Sequence, residues 1–262
     1  MNLKQVKKTF NQYINQYDNQ SDLGFRLKVV HTMHVVENAK EIAIQMNLDE
    51  EDIMLVQLIA YLHDIGRFDE LKRLKKFDSV GNDHALVASN ILFDHNLIRD
   101  FIVETKYDDI IKKAIENHNK FKIEPNLSEK ELLHAKIIRD ADKLDNFRVK
   151  KEEPIEAIFP GKIKTIDELN QSFISKKVFE SIQKEECVDI HDRIYPLYYW
   201  ICILAFVFDI NFIQTLKMIQ KQNYINILID RFEYKNRETK RTMEKIRIII
   251  NEYIDRRLKE NK

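Results

Sequence analysis

The chain has 262 residues, 44% hydrophobic and 33% charged, which supplies one large or two small cores and excludes a disordered polymer. Its 43 basic and 43 acidic residues cancel to a formal charge of +0, so there is no strong nucleic-acid signal beyond whatever a local basic groove would provide. Cys187 and Cys202 are too few and too far apart for a disulfide framework or a thiolate metal site.

The 3.6-residue hydrophobic pattern recurs throughout, and four glycines and four prolines leave few interruptions, so the expected fold is all-α. A first helix over residues 3–17 sets Leu3, Val6, Phe10, Tyr13 and Tyr17 on one side and ends at the polar break Asp18 to Asp22. A second, over about 23–46, buries Val35, Val36, Ala39, Ile42, Ala43 and Met46 as one stripe. His31 lies four residues before Val35 and shares that side, whereas His34 aligns with Glu37, Asn38 and Glu41 on the wet side. After a break with Asp49 as N-cap and Asp52 as an acid near the first-turn donors, a third helix carries Ile53, Val56, Leu58, Ile59, Ala60 and Leu62 into His63-Asp64.

Gly66 is expected to end that helix or to let the backbone approach a ligand, and Arg67 follows where a guanidinium can hold an anion. Phe68 to Asp83 reads as polar and irregular, with Lys72, Arg73, Lys75 and Lys76 as a solvated face or an anion guide. The pattern resumes at His84 with Ala88, Ile91 and Leu92, which places His84 inward at a helix start and His95 at its wet end. Over 107–119, Ile111, Ala114 and Ile115 face inward and bring His118 with them. Ser128 and Glu131 form a capping box for a helix reaching Asn146, on which Asp142 and Asp145 share a buried face.

Beyond Phe147 the chain is interrupted by Pro154, Pro160 and Gly161. Thr165 and Glu168 cap a helix toward Ser181, and the apolar helix Tyr195 to Phe208 is expected to pack across the first bundle, followed by helices over 212–232 and 237–258. His191-Asp192 sits in a polar linker with no apolar approach and reads as a chance pair. The expected domains are residues 1–150 and a helical extension, 151–262, packed on the first. Met1 to Lys8 is polar with no apolar signal segment after it, and the longest apolar run, Leu197 to Phe208, is too short to span a bilayer; a cytoplasmic protein with no membrane partner is expected.

His31, His63, Asp64, His84, His118 and Asp142 are the inward-facing polar residues, drawn from five helices. An unpaired carboxylate at the end of an apolar run is costly to bury, and a divalent cation compensates it and the imidazoles together. Nitrogen and oxygen donors without thiolate suit Mn, Fe, Mg, Ni or Zn, and the carboxylates favour an open site over a closed structural zinc. His31, His63, Asp64 and Asp142 suffice for one ion; His84 and His118 complete a second or bind phosphate.

Three segments occur in the order of a known family: His31-Thr32-Met33-His34-Val35-Val36-Glu37-Asn38-Ala39, the pair His63-Asp64 before Ile65-Gly66, and Ala141-Asp142-Lys143-Leu144-Asp145. With them residues 23–146 resemble the HD-domain superfamily of metal-dependent phosphohydrolases, and bacterial members in particular; His84 and His118 are similar to the extra histidines of members that hold more than one ion. The resemblance implies an HD-domain helical bundle with an additional C-terminal helical region, one or two divalent ions, and hydrolysis of a small-molecule phosphate ester such as a nucleotide. It also implies that Asp64 assists proton removal and that Arg67, with His84 and His118 unless they hold a second ion, contacts phosphate. Lys143 could add a phosphate contact and Asp145 could orient a ligand histidine. Arg67 stands where the branch that degrades cyclic dinucleotides carries lysine, and that branch's additional motif is absent, which disfavours that substrate. Guanosine tetraphosphate hydrolases and nucleotidases also belong to the superfamily. The rival readings are a catalytically inactive nucleotide- or metal-binding regulatory module and an iron-dependent oxygenase; a monomer or homodimer fits either.

Overall fold

The computed structural model describes residues 1–17, 22–74, 83–158, 163, 165–192 and 194–260. Among these all regular structure is helical, as the periodicity requires, and the chain divides into two compact units, Met1–Asp142 and Lys143–Lys262. None of the described helices is long and apolar enough to cross a membrane.

The first unit contains α1 (Leu3–Asn15), α2 (Leu23–Gln45), α3 (Glu50–Leu62), α4 (Ile65–Leu74), α5 (His84–Ser89), a π-helical turn (Asn90–Asp94), α6 (Ile98–Phe101) and α7 (Asp108–Asn117). A long helix, α8 (Glu129–Glu152), continues past Asp142 into the second unit, further than the break expected after Phe147. Helix starts follow local chemistry: the Asn2, Asp22, Asp49 and Asp83 side chains accept from backbone N–H groups of the first turns of α1, α2, α3 and α5. Ser128 and Glu131 form the reciprocal box, with Ser128 N donating to Glu131 Oε2 at 2.7 Å and Glu131 N to Ser128 Oγ at 3.4 Å.

α3 is the axis of this unit. Every residue from Leu55 to Leu62 is buried, and the helix packs against α1, α2 and α7. Asp52, expected as a first-turn acid, is instead a tertiary link: its Oδ1 lies 3.1 Å from His134 Nε2 and 3.1 Å from Lys130 Nζ, tying the start of α3 to α8. α4 corrects the reading of an irregular segment after Gly66. Ile65, Phe68 and Leu71 supply a buried stripe, and Phe68 packs edge-on against Phe10 and Phe25 at 5.9 and 5.5 Å between centroids. The side chains of Lys72 and Arg73, and residues Lys75 and Lys76, fall outside the described residues, as do Pro160, Gly161 and most of the break expected after Tyr17.

The second unit contains α9 (Ile155–Ile158), α10 (Ile166–Asn170), α11 (Lys176–Gln183), a 3-10 turn (Ile190–Asp192), α12 (Pro196–Ala205), a second 3-10 turn (Phe206–Asp209), α13 (Ile213–Lys221), α14 (Tyr224–Ile229) and α15 (Arg237–Lys259). The single helix expected toward Ser181 is two, because Ser175 caps a fresh start by accepting from Val178 N, while Thr165 makes no side-chain cap bond. The helix expected over 212–232 is also two, broken where Asn223 adopts φ 52°, a left-handed conformation that asparagine tolerates. α12 lies in a core assembled from residues 144–254, where Trp200 is fully buried and donates from Nε1 to Leu228 O at 3.1 Å.

Gly66 lies in the first turn of α4, where close approach matters, but what approaches is α5 rather than a ligand. A Cβ there would stand 2.7 Å from His84 O and 2.8 Å from Ala88 N, both backbone atoms. Hydrogen is therefore the only side chain that lets α5 seat against α4. Gly66→Ala is expected to lower the free energy of unfolding by about 1–3 kcal/mol through overpacking, read as an earlier midpoint in urea titration followed by circular dichroism.

Candidate metal centre

His63 is the first residue past α3 and His118 the first past α7, so two helix ends deliver two imidazoles to one place. Each ring is fixed by its own helix. His63 Nδ1 lies 2.7 Å from Ala60 O and His118 Nδ1 lies 2.7 Å from Ile115 O. A carbonyl only accepts, so Nδ1 carries the hydrogen in both rings and Nε2 is left with its lone pair. His63 Nε2 is buried with no hydrogen-bond partner, an arrangement that is costly in a core and apt for a ligand.

His31 from α2, His84 from the first turn of α5 and Asp142 from α8 complete the convergence with Asp64, which lies in the turn between α3 and α4. Donor atoms of His31, His63 and Asp142 lie within 4.8 Å of one another, as do those of Asp64, His84 and His118. Asp64 touches both trios. Its Oδ2 is 3.7 Å from His31 Nε2 and 3.5 Å from His63 Nε2, while its Oδ1 is 3.4 Å from His84 Nε2 and 3.8 Å from His118 Nε2. His31 Nε2 and Asp142 Oδ1 are 3.1 Å apart, and His84 and His118 approach Nε2 to Nε2 at 3.1 Å. Imidazole nitrogen and carboxylate oxygen at this spacing form a donor set that fits a divalent cation in either trio, with Asp64 shared.

All six residues read from the sequence as ligands are thus brought together, and Asp64, first grouped with His31, His63 and Asp142, spans both halves. Arg67 lies at the margin, with Nε 4.0 Å from Asp64 Oδ1 and Nη1 held by Glu70 Oε2 at 2.7 Å. Lys143 pairs with Asp209 at 2.8 Å, and the Asp145 carboxylate accepts from Arg148 Nε and Nη2 at 2.5 and 3.1 Å. His34, His95 and His191 are exposed, as their wet or polar settings imply.

Three partners were not read from the sequence. Lys28 places Nζ 2.5 Å from Asp64 Oδ2; its only signal was a position three residues before His31 on the same helix. Glu70 is buried and anchors Arg67, an i,i+3 pair that the spacing allowed. Asn119 Nδ2 donates to Asp83 Oδ1 at 2.8 Å and lies 3.4 Å from His84 Nδ1, bringing the residue after His118 to the helix start that carries His84.

Burial sets the electrostatics. It pushes the His63 imidazole from 6.5 down to about 4 against the attraction of Asp64, and it lowers His84 and His118 for the same reason. Burial alone would raise Asp64, but Lys28 foremost among its cationic neighbours holds the carboxyl well below its usual range. Asp142 is lowered too, with the His31 hydrogen bond overcoming burial. Near neutral pH His63, His84 and His118 are therefore neutral while Asp64 and Asp142 are ionised, the protonation states a cation requires of them.

Residues 29–146 match the family described as HD domain. No curated protein and no solved structure matches the chain.

The histidine shifts fix a pH dependence for the chelator-treated protein. Above about pH 6.5 His63 is neutral whether folded or unfolded and adds no slope. Between 6.5 and about 4 the unfolded chain binds a proton that folded His63 refuses, so stability falls as pH falls through that window. Asp64 and Asp142 act in the same sense at lower pH, because their depressed folded values stabilise the fold only while they stay ionised. Urea unfolding across the window should show this decline, with a shallower slope in His63→Gln.

Proposed function

We propose, from the premise that the chain belongs to the HD-domain superfamily of generally metal-dependent hydrolases, that it hydrolyses a phosphate ester and that its substrate is a nucleotide or related metabolite. The observation that supports this reading most directly is Asp64, a buried carboxylate with one oxygen facing His31 and His63 and the other facing His84 and His118. His31, His63 and Asp142 would hold one divalent ion and His84 and His118 a second, with Asp64 common to both; Mn, Fe, Mg, Ni and Zn all suit such donors. An ion so held supplies Lewis acidity, lowering the pKa of water and drawing charge from phosphoryl oxygens.

The chain's own residues do the rest. His63 and His118 hold fixed rings with Nε2 aimed at the centre, so no side chain has to be reoriented there. Asp64, ionised at neutral pH, can accept a hydrogen bond from the water attacking phosphorus and so orient it and assist its proton loss. Lys28 and Arg67 flank Asp64 on its Oδ2 and Oδ1 sides and can each donate to a phosphoryl oxygen. Glu70 restrains the Arg67 guanidinium in that position. A dianionic ester meets two cations set on either side of one carboxylate, which suits phosphate better than a neutral substrate.

A panel of nucleotides and simple phosphate esters, incubated with each divalent metal and read by phosphate release and product mass, tests the proposal. Metal-stimulated turnover is expected, and His63→Ala or Asp64→Ala should reduce it roughly 100-fold or more while preserving the helical circular dichroism, since several kcal/mol of charge stabilisation are lost. Binding of nucleotide by metal-replete protein with no release of phosphate from any of them would replace hydrolysis with a regulatory binding role. Lys28→Met should raise KM for the phosphate ester about tenfold without weakening metal uptake, the loss corresponding to one hydrogen bond to a charged group.

A further inference from the structure

Arg139 is among the largest fully enclosed side chains of the first unit, with 2% of its surface exposed, and it lies on α8 three residues before Asp142. A guanidinium is costly to bury, so its partners identify what it is there to hold. Among those partners are backbone carbonyls at and just past the end of α7. Nη1 donates to Asn117 O at 2.7 Å, to Lys120 O at 2.6 Å and, more distantly, to His118 O at 3.5 Å.

These carbonyls lie at the negative end of α7, where the helix leaves acceptors without donors of its own. The same turn is secured on its other side. Asn117 Nδ2 donates to Lys113 O at 2.9 Å and Asn117 Oδ1 accepts from Glu124 N at 2.9 Å, while Ile115 O receives the His118 ring. The backbone that sets the height and angle of His118 is therefore held by α8 through one fully buried cation. α8 then serves both donor trios: it supplies Asp142 directly to the first and, through Arg139, fixes the position of His118 in the second.

We propose that Arg139 is a positioning residue for His118, setting the ring orientation and with it the affinity of the second trio for a divalent ion; the affinity part rests on the metal-binding reading above. Lysine keeps the charge, but its single ammonium sits on a shorter stem without the planar guanidinium, so Arg139→Lys alters the reach and geometry at these carbonyls, which all bond to Nη1. The full-length protein, labelled with nitrogen-15 at histidine and treated with chelator, reports on the ring itself. Wild-type His118 should show the tautomer with hydrogen on Nδ1, and Arg139→Lys should shift its ring nitrogens toward a mixture of tautomers while His63 is unchanged.

Titration with Mn²⁺ alone by calorimetry reads the consequence. Arg139→Lys should retain the first ion and bind the second about tenfold more weakly, the scale of losing a residue that orients a ligand histidine. Unchanged His118 shifts, or two ions bound with wild-type affinity, would overturn the assignment. Equal weakening of both ions would also overturn it, because Arg139 would then support the bundle as a whole. Arg139→Gln, which keeps donors without a buried charge, provides a second variant, and loss of helical signal in both variants counts against the proposal in the same way. Wild-type protein that takes up no Mn²⁺ would overturn the metal reading and leave the imidazole result to decide the role of Arg139.

Discussion

A carboxylate buried among four imidazoles is the constraint on which the first unit depends. Asp64 is 3% exposed, and an isolated carboxylate so placed costs several kcal/mol after every relaxation the protein can make. The surroundings answer that cost with an ammonium 2.5 Å from one oxygen and a guanidinium 4.0 Å from the other. Each neighbour must come from a different part of the chain. Lys28 and His31 need α2 beside the end of α3, His84 needs α5 against α4, and Asp142 needs α8 alongside. The packing of apolar faces brings these helices together, and the charge at their meeting point determines which arrangement is tolerated.

The buried pair Asp52 and His134 makes the contrast clear. It too joins an acid on α3 to an imidazole on α8, at 3.1 Å, but among the described residues its partners there are Lys130 and the single imidazole of His134. That is a structural polar link between two helices. Around Asp64 four imidazoles and a second carboxylate bring their donor atoms together, and that convergence, rather than a single contact between an acid and an imidazole, distinguishes a ligand pocket from a structural link.

Much of this was legible in the sequence because the ligands obey helix periodicity. His31 before Val35, His118 after Ala114 and Asp142 after Ile138 are each one turn from a buried apolar residue, so a pattern that locates the core also locates them. The helix caps at Asp49 and Ser128 were legible for a similar reason, since they are local. Lys28, Glu70 and Arg139 were not, because a charged residue on a helix is ordinarily solvated and only the tertiary fold reveals that Asp64, Arg67 and the end of α7 lie opposite. Helix α4 was misread because its buried stripe of Ile65, Phe68 and Leu71 is interleaved with charge. Asn223 was missed as a break because one residue in a left-handed conformation leaves hydrophobic periodicity almost intact.

The placing of His63 and His118 at the points where their helices stop has a consequence for binding. Each ring is tied to a carbonyl three residues back in its own helix, so ring and helix end move as one body. A free histidine must give up rotamer freedom when it binds a ligand, whereas here that entropy is surrendered during folding. Capture of a ligand at these nitrogens thus becomes a matter of bringing two rigid helix ends to the right separation, with little side-chain disorder left to remove.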